Sequence, residues 1–253
     1  MLCNFVYYGK NEVKRLVKLM FEKYIHFVFV NENKTTVTDY DINNLLKNTQ
    51  FSQLGAPGES SSYLLYHFRQ ENELSKKYFE ENINANNIVF VDDFSITGTQ
   101  SRDYIIKELQ KKTRDISNIN YFILLLVTTE KAINLLKSEI PNLKIIACIE
   151  MDEKSQAFSP SSIVFDGYDI QIKEDAKKIC EYYGGKLISE EDKKKGMESL
   201  GFHGGGYIFG SYYNTPDNTL PIFWSTANDW NRLFKRYEKK YGYDNLTFGD
   251  RYV

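Results

Sequence analysis

The chain has little of the residue types that mark several protein classes. It holds three cysteines, five prolines and 15 glycines in 253 residues. No Cys-x-x-Cys pair occurs, so neither a zinc site nor a disulfide framework is indicated. Collagen and low-complexity disorder are excluded by the same composition. No apolar run reaches the roughly 18 residues of a membrane helix, and the first residues lack the pattern of a secretory signal. We therefore expect a cytoplasmic protein with reduced thiols and no membrane contact.

An excess of charge of one sign is also missing. The 32 basic and 34 acidic residues give a net charge of -2, which argues against a protein that coats nucleic acid. A chain of this length can bury a sizeable core without the help of disulfide bonds. Because no Pro- or Ser-rich linker divides it, we predict a single domain over residues 1–253. Its core would cover about 24–165, and a C-terminal elaboration would cover about 166–253.

The spacing of apolar residues predicts alternating helices and strands. Residues 12–23 have helical spacing, whereas the aromatic and β-branched run at 24–30 favours a strand. Further helices are predicted over 39–48, 63–72, 100–113, 130–138 and 174–183, and further strands over 88–91, 121–128, 143–150 and 207–213. The middle strands are apolar throughout and separated by helices, which is typical of a parallel sheet covered on both faces. The predicted fold class is therefore α/β.

The most informative motif follows the strand at 88–91. Asp92 and Asp93 come directly after it, and Thr97-Gly98-Thr99 then leads into a helix. Ligands of open α/β sheets bind at the carboxyl ends of strands. Backbone N–H groups at a helix N-terminus bind phosphate, and carboxylates accept hydrogen bonds from sugar hydroxyls. The candidate phosphate-binding residues are Ser95, Thr97, Gly98, Thr99, Gln100 and Ser101. The alternative is a strand-to-helix turn in which Thr and Ser only cap the helix.

This stretch resembles the signature of the type I phosphoribosyltransferases, which is an apolar strand, two acids, three variable residues and Thr-Gly-Thr. The resemblance implies a Rossmann-like parallel sheet with a hood-like C-terminal elaboration. It also implies phosphoribosyl pyrophosphate (PRPP) with Mg²⁺ as ligand, with Asp92 and Asp93 in the catalytic and metal-binding roles. Members that act on 6-oxopurines carry an Asp just before the Thr-Gly. Ile96 stands there, which argues against hypoxanthine or guanine salvage.

A second loop, Leu54 to Ser62, is the only Gly/Ser loop that opens a helix. Its N–H groups and hydroxyls suit the pyrophosphate of the donor. The candidate residues are Gly55, Gly58, Ser60 and Ser61, with Arg69 two turns into the following helix. A P-loop is disfavoured because no Lys follows the second Gly and no strong strand precedes the loop. A plain capped turn remains the alternative. The roughly 25 residues between this loop and the strand at 88–91 leave little room for a mobile lid.

The C-terminal part supplies aromatic residues and one further candidate. A stacking wall for a base or ring is one hypothesis for its aromatic residues, and burial in a core is the other. These residues are Tyr207, Tyr212, Tyr213, Phe223 and Trp224. His203, just before three glycines, is the candidate general acid or base if the C-terminal loops cover the site. His26, within an apolar run, is predicted to be structural.

The Asp-Asp and Thr-Gly-Thr motif, together with Asn214-Thr-Pro-Asp-Asn-Thr-Leu-Pro-x-x-Trp224, resembles a particular subgroup. It is similar to the phosphoribosyltransferase-like effectors of the PRTase-CE type, which are encoded in bacterial conflict systems that include retron anti-phage clusters. The resemblance implies a toxin-like or nucleotide-modifying effector with a protein or retron ribonucleoprotein partner. The oligomeric state stays open.

Three functions remain open at this point. The protein is an enzyme that transfers or cleaves a ribosyl group, or a silent module that senses a sugar phosphate and regulates a partner. The third hypothesis is an effector that modifies a nucleotide, NAD or an RNA end by related chemistry. Fold alone does not decide between them.

Overall fold

The computed structural model describes residues 1–31, 34, 36–111 and 119–237. The helices are α1 (Lys10–Asn31), α2 (Asp39–Lys47), α3 (Ser60–Glu71), α4 (Thr99–Lys111), α5 (Glu130–Glu139), α6 (Ile170–Lys186), α7 (Glu190–Lys194) and α8 (Pro221–Trp224). The strands are β1 (Val6–Tyr8), β2 (Thr49–Gln53), β3 (Asn87–Ser95), β4 (Asn120–Thr129), β5 (Leu143–Met151), β6 (Met197–Glu198), β7 (Gly201–Phe202) and β8 (Phe209–Ser211). Within the described ranges, no helix is both long and apolar enough to cross a membrane.

The central sheet has four strands in the order β2-β3-β4-β5, and every neighbouring pair is parallel. The side chains of β3 alternate between two cores. Val89 and Val91 pack against α1 and α3, whereas Ile88 and Phe90 pack with residues of α4 and α5. This alternation is what a strand with both faces covered requires. The prediction of an α/β fold with a parallel sheet is therefore confirmed.

The prediction of a strand at residues 24–30 is wrong. This segment continues α1, a helix of 22 residues. Tyr24 is fully buried, and its ring makes edge-to-face contacts with Phe51 and Phe122 at centroid distances of 5.9 and 5.1 Å. Its hydroxyl lies 3.1 Å from the Thr49 hydroxyl. Packing onto the sheet thus outweighs the local strand preference of aromatic and β-branched residues.

A short strand, β2, precedes the Gly/Ser loop, at a place where the sequence shows no strong strand. β2 pairs with β3 from Thr49 opposite Asn87 to Gln53 opposite Val91. Because Phe51 is the one apolar residue among its five, β2 lacks the continuous apolar run of β3 and β4. β2 ends opposite Val91, so the chain turns into the Gly/Ser loop beside the two acids that follow in β3. The helix predicted over 100–113 is observed as α4, and residues 112 and 113 lie outside the described residues.

The C-terminal region packs against the start of the chain. β8 pairs in parallel with β1. The predicted strand at 207–213 is confined to Phe209–Ser211, and Tyr207 makes isolated bridges to Gln156 and Thr219. The Phe5 ring stacks on the Phe234 ring at 3.7 Å. A third core, which includes Ile208, Leu220 and Phe223, holds this region together. The region therefore reaches the carboxyl edge of the sheet, where the candidate site lies.

Candidate functional site

The loop between β3 and α4 opens onto a pocket. A cavity of about 360 Å³ is lined by every residue from Ser95 to Ser101, and by Phe202 and Pro216 from the C-terminal region. Gly98 has a φ of +78°, and a Cβ there would lie 3.0 Å from the Ala132 carbonyl oxygen. Only glycine meets both demands without strain. The predicted phosphate-binding residues thus lie together around one accessible space.

Buried hydroxyls fix the backbone of this loop. The Thr128 hydroxyl donates to the Ser95 carbonyl at 2.8 Å, and the Thr129 hydroxyl donates to the Ile96 carbonyl at 2.7 Å. The Ser95 and Ser101 hydroxyls are 2.7 Å apart. Ile96 itself is buried in the core, so its side chain offers no proton acceptor. The strand end and the helix start are held as one rigid unit.

Asp92 and Asp93 are buried at the end of β3, with exposed fractions of 7% and 3%. The Asp93 carboxylate accepts hydrogen bonds from the Ser60 hydroxyl (3.2 Å), the Asn214 amide (2.8 Å) and the Phe94 N–H (3.0 Å). Asp92 accepts one from the Asp93 N–H at 3.0 Å. Three donors thus stabilise the charge of Asp93.

Burial raises the pKa of both carboxyl groups above the ordinary value of 3.8. The charge of Asp93 raises the pKa of Asp92 further, whereas the hydrogen bonds from Asn214 and Ser60 oppose the rise at Asp93. Asp92 is therefore the member of the pair that keeps its proton. The hydroxyl of Tyr213 is also buried, and burial, with the nearby Asp93 and Asp92 charges, raises its pKa.

The Gly/Ser loop lies against the acid pair. Ser60 and Ser61 line a cavity of about 90 Å³ together with Asp92 and Asp93. The buried Ser61 hydroxyl has no hydrogen-bond partner among the residues that the structure describes. Gly55 and Gly58 have φ values of +113° and +89° and shape the turn before α3. Arg69 lies in the last turn of α3 and is not among the residues that line this cavity.

The C-terminal region covers the acid pair. Asn214 donates to Asp93, and its own side-chain oxygen accepts the Tyr237 N–H at 3.0 Å. Arg236 donates to the Thr215 carbonyl at 3.2 Å and lies 3.3 Å from the Asp217 carboxylate. These residues form the outer wall of the 90 Å³ cavity.

The aromatic residues proposed as a stacking wall divide into two groups. Tyr207, Tyr213 and Phe223 are buried in the cores, as the alternative interpretation predicted. The Tyr212 hydroxyl lies 2.9 Å from that of Tyr63. Trp224 lines a cleft of about 640 Å³ that shares Asp217, Arg236 and Tyr237 with the cavity over the acids, and the Arg236 guanidinium lies over the Trp224 ring at 4.5 Å. Trp224 is thus the member of this group that faces a large cleft.

His203 is not brought to the acid pair. It is exposed, with a φ of +51°, and its ring packs on Phe202 at 4.2 Å. It lines neither the cavity over the acids nor the pocket of the β3–α4 loop. His26 lies within α1.

A comparison with protein-family models matches PRTase-CE over residues 1–236. The chain belongs to the PRTase-CE family. The resemblance to the phosphoribosyltransferase-like effectors is thereby confirmed. A search of curated proteins found no match.

Three residues that line the site of this PRTase-CE member were not singled out from the sequence. All three line the cavity beside Asp93: Asn214, Asp217 and Arg236. Each lies more than a hundred positions after Asp93 in the sequence. Asn214 and Asp217 lie in the motif that carried the resemblance, so that motif was the available signal. Arg236 has no local motif, and neither spacing nor periodicity marks it.

Asp92 and Asp93 carry carboxylate oxygens, which are ligands of divalent cations. Within the described residues, no group of three or more His, Cys, Asp or Glu side chains is arranged to hold a metal ion. Mg²⁺ is commonly held by one or two carboxylates plus the phosphates of its substrate. Asp92 and Asp93 supply that number of carboxylates, so their chemistry fits a cation that arrives with a phosphorylated ligand.

Proposed function

We propose that this protein binds a 5-phosphorylated ribose, with PRPP and Mg²⁺ as the ligand. The observation that carries the proposal is the accessible pocket of residues 95–101 directly beside the buried pair Asp92 and Asp93. The N-terminus of α4 and the loop N–H groups favour a phosphate there. The two spaces share Phe94, Gln100, Pro216 and Asp217 as lining residues, so one ligand can extend from the first to the second.

In this arrangement each part of the ligand lies beside residues that can bind it. The 5-phosphate lies in the β3–α4 pocket, and the ribose hydroxyls donate to the Asp93 carboxylate in place of Asn214 and Ser60. The pyrophosphate lies towards Ser60 and Ser61. Asp92 and Asp93 would hold Mg²⁺, which supplies charge stabilisation for the leaving pyrophosphate.

The reaction is substitution at the anomeric carbon of the ribose. The bond from that carbon to the pyrophosphate oxygen breaks, a bond to the acceptor nucleophile forms, and pyrophosphate leaves with the electron pair. The Asp93 carboxylate lies where positive charge develops on the ribose and stabilises it electrostatically. We further propose that the protein acts in the cytoplasm as an effector in bacterial anti-phage defence, with a protein or retron ribonucleoprotein partner.

Isothermal titration calorimetry with Mg²⁺-PRPP tests the ligand assignment. We expect the double variant Asp92→Asn, Asp93→Asn to bind at least tenfold more weakly than the wild type, a difference of about 1.4 kcal/mol. Asp175→Asn, at an exposed acid of α6, is the matched control and should bind as the wild type does. Equal binding by the double variant and the wild type would show that the acid pair is not the sugar site.

A silent sensing module is the second candidate. It is favoured by the small cavity over the acids and by the buried Ile96, which leaves the loop without a proton acceptor. Release of pyrophosphate from Mg²⁺-PRPP in the presence of a panel of bases separates the two functions. Turnover supports the transferase, whereas tight binding with no pyrophosphate released supports the module.

A further inference from the structure

The space over the acid pair is narrower than the pocket beside it. Its volume is about 90 Å³, whereas the neighbouring pocket of the β3–α4 loop has a volume of about 360 Å³. The phosphate end of the candidate site is therefore wide, and its sugar end is narrow.

Asn214 occupies the position of a ligand hydroxyl. Its amide donates to Asp93 at 2.8 Å, as a ribose hydroxyl would. The backbone of Asn214 is fixed, because its N–H donates to the Ser211 hydroxyl and its carbonyl accepts from that hydroxyl. The side chain is oriented by one further contact, the Tyr237 N–H donating to its oxygen at 3.0 Å. Tyr237 therefore determines that the NH₂ group of Asn214 faces Asp93.

The segment that carries Tyr237, residues 233–237, is called the strap below. Its first part is anchored, because the Leu233 and Phe234 N–H groups donate to the Phe223 carbonyl at 2.9 Å and Phe234 stacks on Phe5. In its last part the buried Thr215 hydroxyl donates to the Lys235 carbonyl at 2.8 Å, and Tyr237 packs against the first core. The contacts of Arg236 in this part are partly exposed to solvent.

Arg236 acts as the latch of the strap. It pairs with Asp217 at 3.3 Å, and their side chains are 31% and 41% exposed. It also contacts the Thr215 carbonyl and lies over the Trp224 ring. Exposed ion pairs contribute little to stability, so this latch can open without unfolding the cores beneath it. Its release would free the Tyr237 N–H from Asn214 and let the Asn214 side chain leave Asp93.

We propose that the strap is an autoinhibitory cover, in which Arg236 and Tyr237 hold Asn214 on Asp93 and exclude the sugar until the strap opens. This inference rests on the proposed function, since it takes a phosphorylated pentose as the excluded ligand. The observed state is then the closed one. The apparent affinity for the ligand is reduced by the fraction of molecules in which the strap is open.

Two variants weaken the latch from its two sides. Arg236→Gln removes the cation, and Asp217→Asn removes the anion but keeps Arg236 available. We expect both to bind Mg²⁺-PRPP about three- to tenfold more tightly than the wild type by titration calorimetry. Lys76→Gln is the matched control, because it removes an ion pair of the same 3.3 Å length on an exposed surface, and it should leave the affinity unchanged.

The movement itself is measured without ligand. Hydrogen exchange in the strap should be faster in both latch variants than in the wild type or Lys76→Gln. The only two tryptophans of the chain, Trp224 and Trp230, lie next to the strap. Their fluorescence should change when Mg²⁺-PRPP is added to the wild type, because Arg236 leaves the Trp224 ring.

The outcomes separate the two proposals. Faster exchange with tighter binding in both latch variants supports the cover. Weaker binding by Arg236→Gln and unchanged or weaker binding by Asp217→Asn overturns it, because Arg236 would then contact the ligand directly. Equal exchange and equal affinity in all four proteins also overturn it and leave the proposed function standing. No binding by any of them, with exchange raised in the latch variants, refutes the proposed function and the cover with it.

Discussion

The two halves of the candidate site are built in different ways. The β3–α4 pocket is formed by consecutive residues, from Ser95 to Ser101, with a volume of about 360 Å³. The cavity over the acids, about 90 Å³, brings residues together from the Gly/Ser loop, β3 and the C-terminal region. One half is a local strand–loop–helix unit, and the other depends on a hydrogen bond between Asp93 and Asn214, 121 positions apart. The local half is wide, and the assembled half is narrow.

The two halves of the site therefore differ in how they are stabilised and in how a ligand would enter them. The local half is held by buried hydroxyls that donate to backbone carbonyls, so it is rigid whether or not a ligand is present. The assembled half contains two buried carboxyl groups that cannot both ionise cheaply. Its closed state satisfies Asp93 internally, with Ser60, Asn214 and the Phe94 N–H as donors. Predictions on charge therefore concern the acid pair, and predictions on backbone geometry concern the pocket.

The largest effect is expected at Asp92. A carboxyl group whose pKa is raised by folding binds more protons in the folded state, so stability falls as the pH rises above the unfolded value near 3.8. Asp92→Asn removes this pH-dependent loss of stability, because an amide does not ionise. Because folding raises the pKa of Asp92, we expect the variant to raise the free energy of unfolding at pH 8 and to raise it less at pH 5. Urea titrations at pH 5 and pH 8 measure this.

The neighbouring acid provides the control for that experiment. In Asp93→Asn an amide NH₂ would replace one of the oxygens that now accept from Ser60 and Asn214, so we expect a loss of stability instead of a gain. Asp92→Asn should also flatten the pH dependence between pH 5 and pH 8. If the wild type were equally stable at both pH values, the assignment of the proton to Asp92 would be wrong.

A smaller effect is expected at Gly98 in the open pocket. Gly98→Ala combines a φ of +78° with a Cβ 3.0 Å from the Ala132 carbonyl oxygen, and we expect a loss of about 2 kcal/mol. Gly58→Ala is the control, because its φ is +89° but nothing lies within 4 Å of the added Cβ. It should lose only about 1 kcal/mol. Equal losses in the two variants would mean that the close approach to α5 is not what selects glycine.

Much of the fold was predictable because it is local. The apolar runs of β3, β4 and β5 and the helices between them are found close to their predicted positions. The errors occurred where tertiary contacts decide. Residues 24–30 have a strand-like composition, yet Tyr24 is needed on the helix face that covers Phe51 and Phe122. β2 was missed because Phe51 is the one apolar residue among its five, and the strand is stabilised by its pairing with β3.

The same distinction applies to the site. Asp92, Asp93 and the loop from Ser95 to Ser101 were recognised because the motif is contiguous. Their roles as ligand-binding residues stay predictions. The hydrogen bond between Asp93 and Asn214 could not be recognised, because nothing in the two motifs that contain these residues indicates that they pair. Sequence patterns thus describe the contiguous half and do not describe the contacts that assemble the other.

The smallest effect separates the two hydroxyls that hold the open pocket. The Thr129 hydroxyl donates to the Ile96 carbonyl and also accepts the Ala132 N–H at 3.1 Å as the N-cap of α5. The Thr128 hydroxyl makes only the bond to the Ser95 carbonyl. Thr→Val keeps the shape and removes these bonds. With about 1 kcal/mol for a hydrogen bond or a cap, Thr129→Val should lose roughly 1 kcal/mol more than Thr128→Val in urea unfolding. Equal losses would show that the cap adds nothing, and that the bonds to the loop carbonyls alone fix the pocket.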